Sequence, residues 1–137
     1  MSKHETPITR WYWQQVGGTL VEEFPAVNRT PTCERRAIDA IIILNRETCI
    51  AHWSEIDLND IKDQDIIVVQ TKAERLGMYL MGQTFFSAKL MERFNPRSVT
   101  SVALVKQDDS VLRPLLEAFP NMKVVVCPER PRHHQTG

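Results

Sequence analysis

The pattern of apolar and polar residues along the chain predicts alternating helices and strands. Two runs, over 36–44 and 66–73, are mostly apolar and rich in β-branched residues, which is typical of buried strands. A helix opens at Thr6 and Pro7 and stops at Gly17, because proline suits a first helical turn and glycine suits a helix end. The other predicted elements are a strand over 19–27, a short helical turn over 58–61, a helix over 74–94, a strand over 100–105, a short helix capped by residues 108–110 and reaching 119, and a strand over 123–126.

This order of elements predicts an α/β protein. The first three strands are close in the chain and are expected to form a meander, while the last two follow helices and are expected to add in parallel. The predicted architecture is a central mixed sheet of about five strands flanked by helices. A chain of 137 residues is long enough for one core. We therefore expect a single domain over 1–127, followed by a loose tail over 128–137.

A carboxylate interrupts the first apolar run. Asp39 stands between Ile38 and Ala40, in a strand that is otherwise apolar from Ala37 to Leu44. An unpaired buried charge costs several kcal/mol unless a metal ion or a partner compensates for it. Asp39 is therefore a candidate functional residue.

The second apolar run carries two polar side chains near its end. Gln70 and Lys72 are two residues apart, so strand periodicity places the amide and the ammonium on the same face. A carboxylate and a second side-chain oxygen can hold Mg²⁺ together with water and a substrate phosphate. A lysine beside the metal can orient or deprotonate the attacking water and offset charge on the phosphorus. Together with Asp39, these residues could hydrolyse a phosphodiester.

This arrangement resembles the PD-(D/E)xK nuclease superfamily, whose signature is an acid in one strand and Glu-x-Lys at the end of the next. Asp39 matches the acid, and Gln70-Thr71-Lys72 matches the second half in a form similar to the Gln-x-Lys variant of Mrr-type restriction endonucleases. Ile38 stands where the signature has proline, at a position that holds no ligand. The resemblance covers residues 7–126 and implies a restriction endonuclease-like αβββαβ core.

The resemblance also implies an activity. The chain is expected to be a Mg²⁺- or Mn²⁺-dependent nuclease that cuts DNA in restriction, repair or recombination. Asp39 and Gln70 would be metal ligands, and Lys72 would position or activate the attacking water. Because each chain has one catalytic set, cutting both strands requires a homodimer or a partner protein.

A further metal-binding acid is implied by the same resemblance, and three residues are candidates. Glu22 and Glu23 are preferred to Glu5, because Pro7 places Glu5 before the helix. Glu22 and Glu23 are neighbours in a strand, so they are expected to lie on opposite faces and only one can face Asp39. Glu23 is named as the candidate metal ligand, although the sequence alone does not choose between Glu23, Glu22 and Glu5.

Composition adds little to this assignment. The 17 basic and 17 acidic side chains give a formal net charge of zero, so there is no bulk signal for nucleic acid. Arg29, Arg35 and Arg36 precede the Asp39 strand and form either a substrate-steering patch or a solvated turn. The three cysteines have no Cys-x-x-Cys spacing and predict neither a zinc site nor a disulfide framework. The absence of a long apolar stretch or a signal-type segment predicts a cytoplasmic protein without a membrane span.

Two further features have alternative explanations. The predicted helix over 74–94 has an apolar stripe expected to pack on the sheet, formed by Leu76, Tyr79, Leu80, Phe86 and Leu90. Gln83 falls on the same stripe and either reaches the active-site edge or a phosphate, or bonds a neighbouring loop. His133 and His134 could bind a metal ion, although paired histidines in a tail usually have no role.

Two other hypotheses remain open for the whole chain. A catalytically degenerate member of the same fold would bind nucleic acid or a protein, as the neutral charge and Gln70 favour. An unrelated α/β domain would act only as an assembly subunit, with Asp39 and Lys72 forming an internal ion pair.

Overall fold

The computed structural model describes residues 1–129. His133 and His134 lie outside the described residues. The elements are α1 (Thr6–Val16), β1 (Thr19–Val27), β2 (Arg36–Ile43), β3 (Cys49–Ala51), a 3₁₀ turn (Trp53–Glu55), α2 (Leu58–Ile61), β4 (Asp65–Arg75), α3 (Met78–Glu92), β5 (Ser98–Gln107), α4 (Leu112–Glu117) and β6 (Met122–Val126). No helix in this described part is long and apolar enough to cross a membrane.

Within residues 1–129 the strands form one mixed sheet flanked by four helices, so the predicted α/β class is confirmed. The strand order is β3-β1-β2-β4-β5-β6. β1, β2 and β4 are antiparallel neighbours, which confirms the meander, and β5 and β6 add in parallel, as predicted. The described part of the chain has six strands in this sheet where about five were expected, because one strand was not predicted.

The additional strand is β3, which pairs in parallel with β1 at the edge of the sheet. It lies in the polar segment between the two apolar runs and is only three residues long. Its middle residue, Ile50, is exposed. Such a strand is held by main-chain pairing to β1 rather than by a buried apolar face, so the hydrophobic pattern does not reveal it.

Both faces of the sheet are buried. The face toward α1 has a core that includes Ile8, Tyr12, Leu20, Ile42, Val69 and Leu104. The face toward α3 has a core that includes Val21, Ile41, Ile43, Val68 and Met91. This two-sided burial explains why β2 and β4 have mostly apolar sequences rather than an alternation of apolar and polar residues.

The helix predicted over 74–94 begins later in the structure. β4 continues to Arg75, which pairs with Gln107 of β5, and the N–H of Leu76 still bonds the Gln107 carbonyl at 3.0 Å. Gly77 precedes the first residue of α3. The predicted start at Glu74 is therefore wrong, because pairing with β5 keeps this segment extended.

The predicted apolar stripe of α3 is wrong at two of its members. Tyr79 is 80% exposed and Phe86 is 65% exposed. The buried residues of α3 are instead mostly small: Leu80, Thr84, Ser87, Ala88 and Met91. Small side chains let the helix approach the sheet closely, so this face packs inward and the aromatic face remains outside.

The start of α1 also differs from the prediction by one residue. The residue at the N-cap is Glu5 rather than Thr6, and Pro7 lies in the first turn of the helix. The Glu5 side chain makes no capping hydrogen bond, and the Glu5 N–H donates to the Ser2 carbonyl at 3.1 Å. From this position the Glu5 carboxylate raises the pKa of Asp39.

Candidate functional site

Asp39 lies where β2 and β4 stop pairing. The last paired residues at this end are Ala40 and Val69, and the N–H of Thr71 donates to Oδ2 of Asp39 at 2.9 Å. If β2 and β4 continued to pair, a main-chain carbonyl would accept this hydrogen bond. Here the Asp39 carboxylate is the acceptor instead. Asp39 is therefore held against the main chain of the Gln70-Thr71-Lys72 segment.

The surroundings of Asp39 are acidic and partly shielded from water. Burial raises the pKa of the Asp39 carboxyl, and the carboxylates of Glu5 and Glu23 raise it further. The Thr71 N–H and the Met1 ammonium act in the opposite direction. The hydrogen bond from that ammonium to the Glu23 carboxylate is the main reason that the pKa of the amino terminus is raised. Ionised Asp39 thus lies in a site that favours binding of positive charge.

Glu22 and Glu23 lie on the same side of the sheet, contrary to the expectation of opposite faces. Arg10 of α1 donates to Glu22 through two nitrogens, at 2.9 and 3.0 Å. Glu23 bonds the ammonium of Met1, and the thioether of Met1 accepts a hydrogen bond from Thr9 of α1. The physical reason is the positive φ of Glu23, +53°, which interrupts the alternation of a strand.

Gln70 is buried on the opposite side of the sheet, under α3. Its Nε2 donates to Oγ of Ser87 at 2.7 Å, and only 4% of the residue is exposed. Within residues 1–129 the side chain makes no hydrogen bond to Asp39. Its oxygen has no hydrogen-bond partner among the described residues and keeps slight contact with solvent. This oxygen is therefore free to act as an acceptor.

Lys72 and Thr71 complete the segment. Lys72 is exposed, and within the described residues it forms no salt bridge with Asp39. Thr71 is buried, and its hydroxyl lies 2.7 Å from that of Thr9 in α1. The Thr9 contact anchors the middle of the segment to α1, as the Ser87 contact anchors Gln70 to α3. The internal ion pair expected for a purely structural Asp39 is not formed here.

A groove of about 680 Å³ lies between the start of β2 and the exposed face of α3. We call it the α3 groove, and its lining includes Arg36, Gln70, Tyr79, Gln83, Phe86, Lys89 and Arg93. Gln83 is exposed and lies beside Gln70 in this lining rather than under the helix. Arg36, the first residue of β2, lines the groove, whereas the described lining does not include Arg29 or Arg35.

The sequence pattern does not reveal the α3 groove, because it predicts that Tyr79 and Phe86 belong to the buried stripe. The signal that could have shown it is Gln83. An amide on an apolar stripe is more easily explained if that stripe faces solvent, and Gln83 shares a helical face with Tyr79 and Phe86.

The described residues hold no preformed metal cage. Within residues 1–129, no three His, Cys, Asp or Glu side chains are arranged to hold a metal ion. Oxygen ligands suit Mg²⁺, and the candidates here are the Asp39 carboxylate and the Gln70 amide oxygen. These two groups lie near the same strand end, but Gln70 is turned toward α3.

Comparison of the chain with protein-family models, curated proteins and solved structures finds no match.

Proposed function

We propose that this chain is a metal-dependent nuclease that hydrolyses DNA phosphodiester bonds, built on a restriction endonuclease-like αβββαβ core. The observation that carries the proposal is the 2.9 Å hydrogen bond from the Thr71 N–H to the Asp39 carboxylate. It joins the acid of one strand to the middle of the Gln-x-Lys segment of the next. The order of α1, the β1-β2-β4 meander, α3 and the parallel β5 supports the same fold.

Asp39 is the proposed metal ligand. Its raised pKa means that the folded protein disfavours the charged carboxylate, and a bound cation would offset that cost. Mg²⁺ or Mn²⁺ would supply the charge that activates water and stabilises the phosphorus centre. Gln70 would contribute its amide oxygen after its side chain turns from Ser87 toward Asp39. Glu23 stays the candidate for a further acid, because it influences Asp39 electrostatically.

Lys72 would position the attacking water and offset charge on the phosphate. It is exposed and forms no salt bridge within the described residues, so its ammonium is free to meet an anionic substrate. The adjacent Thr71 is fixed by Thr9 and Asp39, which limits the movement of the main chain at this point. With one such set per chain, cutting both strands of DNA would take a homodimer or a partner protein.

A second candidate function is a catalytically degenerate module that binds nucleic acid or a protein. The observation that favours it is the engagement of Gln70 with Ser87, since the amide is then directed away from Asp39. The absence of a preformed metal cage among residues 1–129 points the same way. A binding module would retain affinity without Mg²⁺, and that affinity would weaken with added salt.

The experiment is cleavage of supercoiled, linear and branched DNA by the purified protein with Mg²⁺ or Mn²⁺, with EDTA as the blank. Lys72→Ala should lower the rate by roughly 10²–10³-fold, the usual effect of removing one group that stabilises the transition state. Lys123→Ala is the matched control, because Lys123 is also an exposed lysine on a strand but lies in β6 at the far edge of the sheet.

Metal-dependent cleavage that is lost in Lys72→Ala and kept in Lys123→Ala would support the nuclease. Cleavage that survives in Lys72→Ala at the wild-type rate would point to a contaminating enzyme. No cleavage on any substrate with either metal would reject catalysis by the chain alone and favour the binding module.

A further inference from the structure

We propose that the α3 groove binds single-stranded nucleic acid, with unpaired bases stacked on Phe86 and Tyr79 and phosphates held by Arg36, Lys89 and Arg93. This proposal adds a binding site to the proposed nuclease, and it rests on that function for the choice of DNA as the ligand. Aromatic side chains at the surface and a row of cations are the two parts that such a site requires. Both occur in this one groove.

The aromatic part is exposed without a packing reason. Phe86 is 65% exposed and Tyr79 is 80% exposed, and both line the groove, two helical turns apart on α3. The rings of Phe85 and Phe86 meet in a T-shaped arrangement, with their centroids 5.2 Å apart. Phe86 is thus held on α3 with most of its side chain open to solvent.

The charges of the groove select the partner. Among residues 1–129, its lining contains three cations and no acid. Arg36 forms no salt bridge within the described residues. Arg93 is positioned by a 3.3 Å hydrogen bond to the Ala26 carbonyl, and the nearest acidic partner of Lys89 is Glu92 at 3.6 Å. An anionic ligand with flat apolar groups therefore fits better than a neutral protein surface.

The amides of the groove explain why the bases should be unpaired. Gln83 and Gln70 both line the groove, and their amides can bond to base edges. In a duplex the base faces are covered by their neighbours, so they cannot stack on Phe86. A single strand exposes the face and the edge of each base together. Gln70 also connects the groove to the strand end where Asp39 and Lys72 lie.

The test is fluorescence anisotropy of a labelled oligodeoxythymidine of about 16 nucleotides, measured in EDTA so that no cleavage occurs. Phe86→Ala should weaken binding roughly 5- to 150-fold, the range expected for loss of one stacked base. Leu115→Ala is the matched control, because Leu115 is an exposed apolar residue of α4 outside the groove lining. Arg36→Ala should lower the slope of log K against log salt by about 0.7.

A Phe86→Ala protein that binds as tightly as Leu115→Ala would overturn the proposal, as would a wild-type protein that prefers duplex of the same length. A wild-type dimer that Phe86→Ala converts to a monomer, with unchanged oligonucleotide affinity, would assign the groove to a second copy of the chain instead. If the protein does not cleave DNA with Mg²⁺ but its binding depends on Phe86, the nuclease proposal would be rejected and the groove proposal supported. If the protein cleaves DNA but its binding does not depend on Phe86, the nuclease proposal would be supported and the groove proposal rejected.

Discussion

Ser87→Ala tests whether Gln70 is held away from Asp39 by a specific contact. Both partners are buried, Gln70 at 4% and Ser87 at 6% exposure, and they are joined at 2.7 Å. Removal of the hydroxyl leaves the Gln70 amide nitrogen in a buried site without its partner, which costs about 1–3 kcal/mol. For a chain of 137 residues, each kcal/mol shifts the melting temperature by about 4 °C. The expected decrease is therefore about 4–12 °C.

The measurement is urea and thermal unfolding followed by the fluorescence of the tryptophans. Ser110→Ala, at an exposed serine, is the control and should change stability by less than about 0.5 kcal/mol. Gln70→Met keeps a similar shape without polar atoms, and its combination with Ser87→Ala closes a double-mutant cycle. The cycle should show a coupling of about 1 kcal/mol.

A coupling energy near zero, with Ser87→Ala as stable as Ser110→Ala, would refute the reasoning. Gln70 would then not depend on Ser87, and its amide would be free to turn toward Asp39. That result would strengthen the case for Gln70 as a metal ligand, so the stability of Ser87→Ala bears directly on the choice between the nuclease and the binding module.

Three other substitutions have predicted effects on stability. Because burial raises the pKa of Asp39 in the folded protein, ionised Asp39 lowers stability at neutral pH, so Asp39→Asn should be more stable than wild type near pH 7. That gain in stability should shrink as the pH falls through the raised pKa, and it should vanish below the pKa of the unfolded chain, about 4. Urea unfolding measured across pH would show this. A gain that does not depend on pH would exclude ionisation of Asp39 as its cause. Gly18→Ala should lose at least about 2 kcal/mol, since φ is +84° and the new Cβ would lie 2.7 Å from the Ile43 carbonyl oxygen. Gly82 has a helical backbone, and an added Cβ would meet nothing within 4 Å, so Gly82→Ala should gain about 0.5–1 kcal/mol of stability. Both glycine variants would be measured by thermal unfolding. Equal effects of the two changes would mean that neither the positive φ nor the close carbonyl constrains position 18.

The candidate site could be predicted from the sequence only in part. The position of Asp39 in an apolar run and the two-residue spacing of Gln70 and Lys72 are visible in the sequence, and they lie at neighbouring strand ends because β2 and β4 are antiparallel partners. The direction of the Gln70 side chain is not visible. It depends on Ser87, which lies 17 residues further along the chain in a helix whose orientation is set by packing.

Glu23 shows the same limit. Alternation along a strand predicts opposite faces for two neighbouring residues, and the rule fails here because one residue adopts a positive φ. The sequence contains no glycine or asparagine at this position to indicate that conformation. Only contacts from α1 and the amino terminus reveal that Glu22 and Glu23 lie on one side.

The sequence by itself determined the class of the fold, the meander and the parallel additions, because apolar runs of this length must be buried and chain connections limit how strands can pair. The tertiary structure decided which face of α3 is buried. That helix is apolar on more than one side, so periodicity alone does not choose between them. The small residues Thr84, Ser87 and Ala88 fit close against the sheet, and this leaves Tyr79 and Phe86 in solvent beside the groove. Close packing of whole side chains, rather than hydrophobicity along the chain, made that choice.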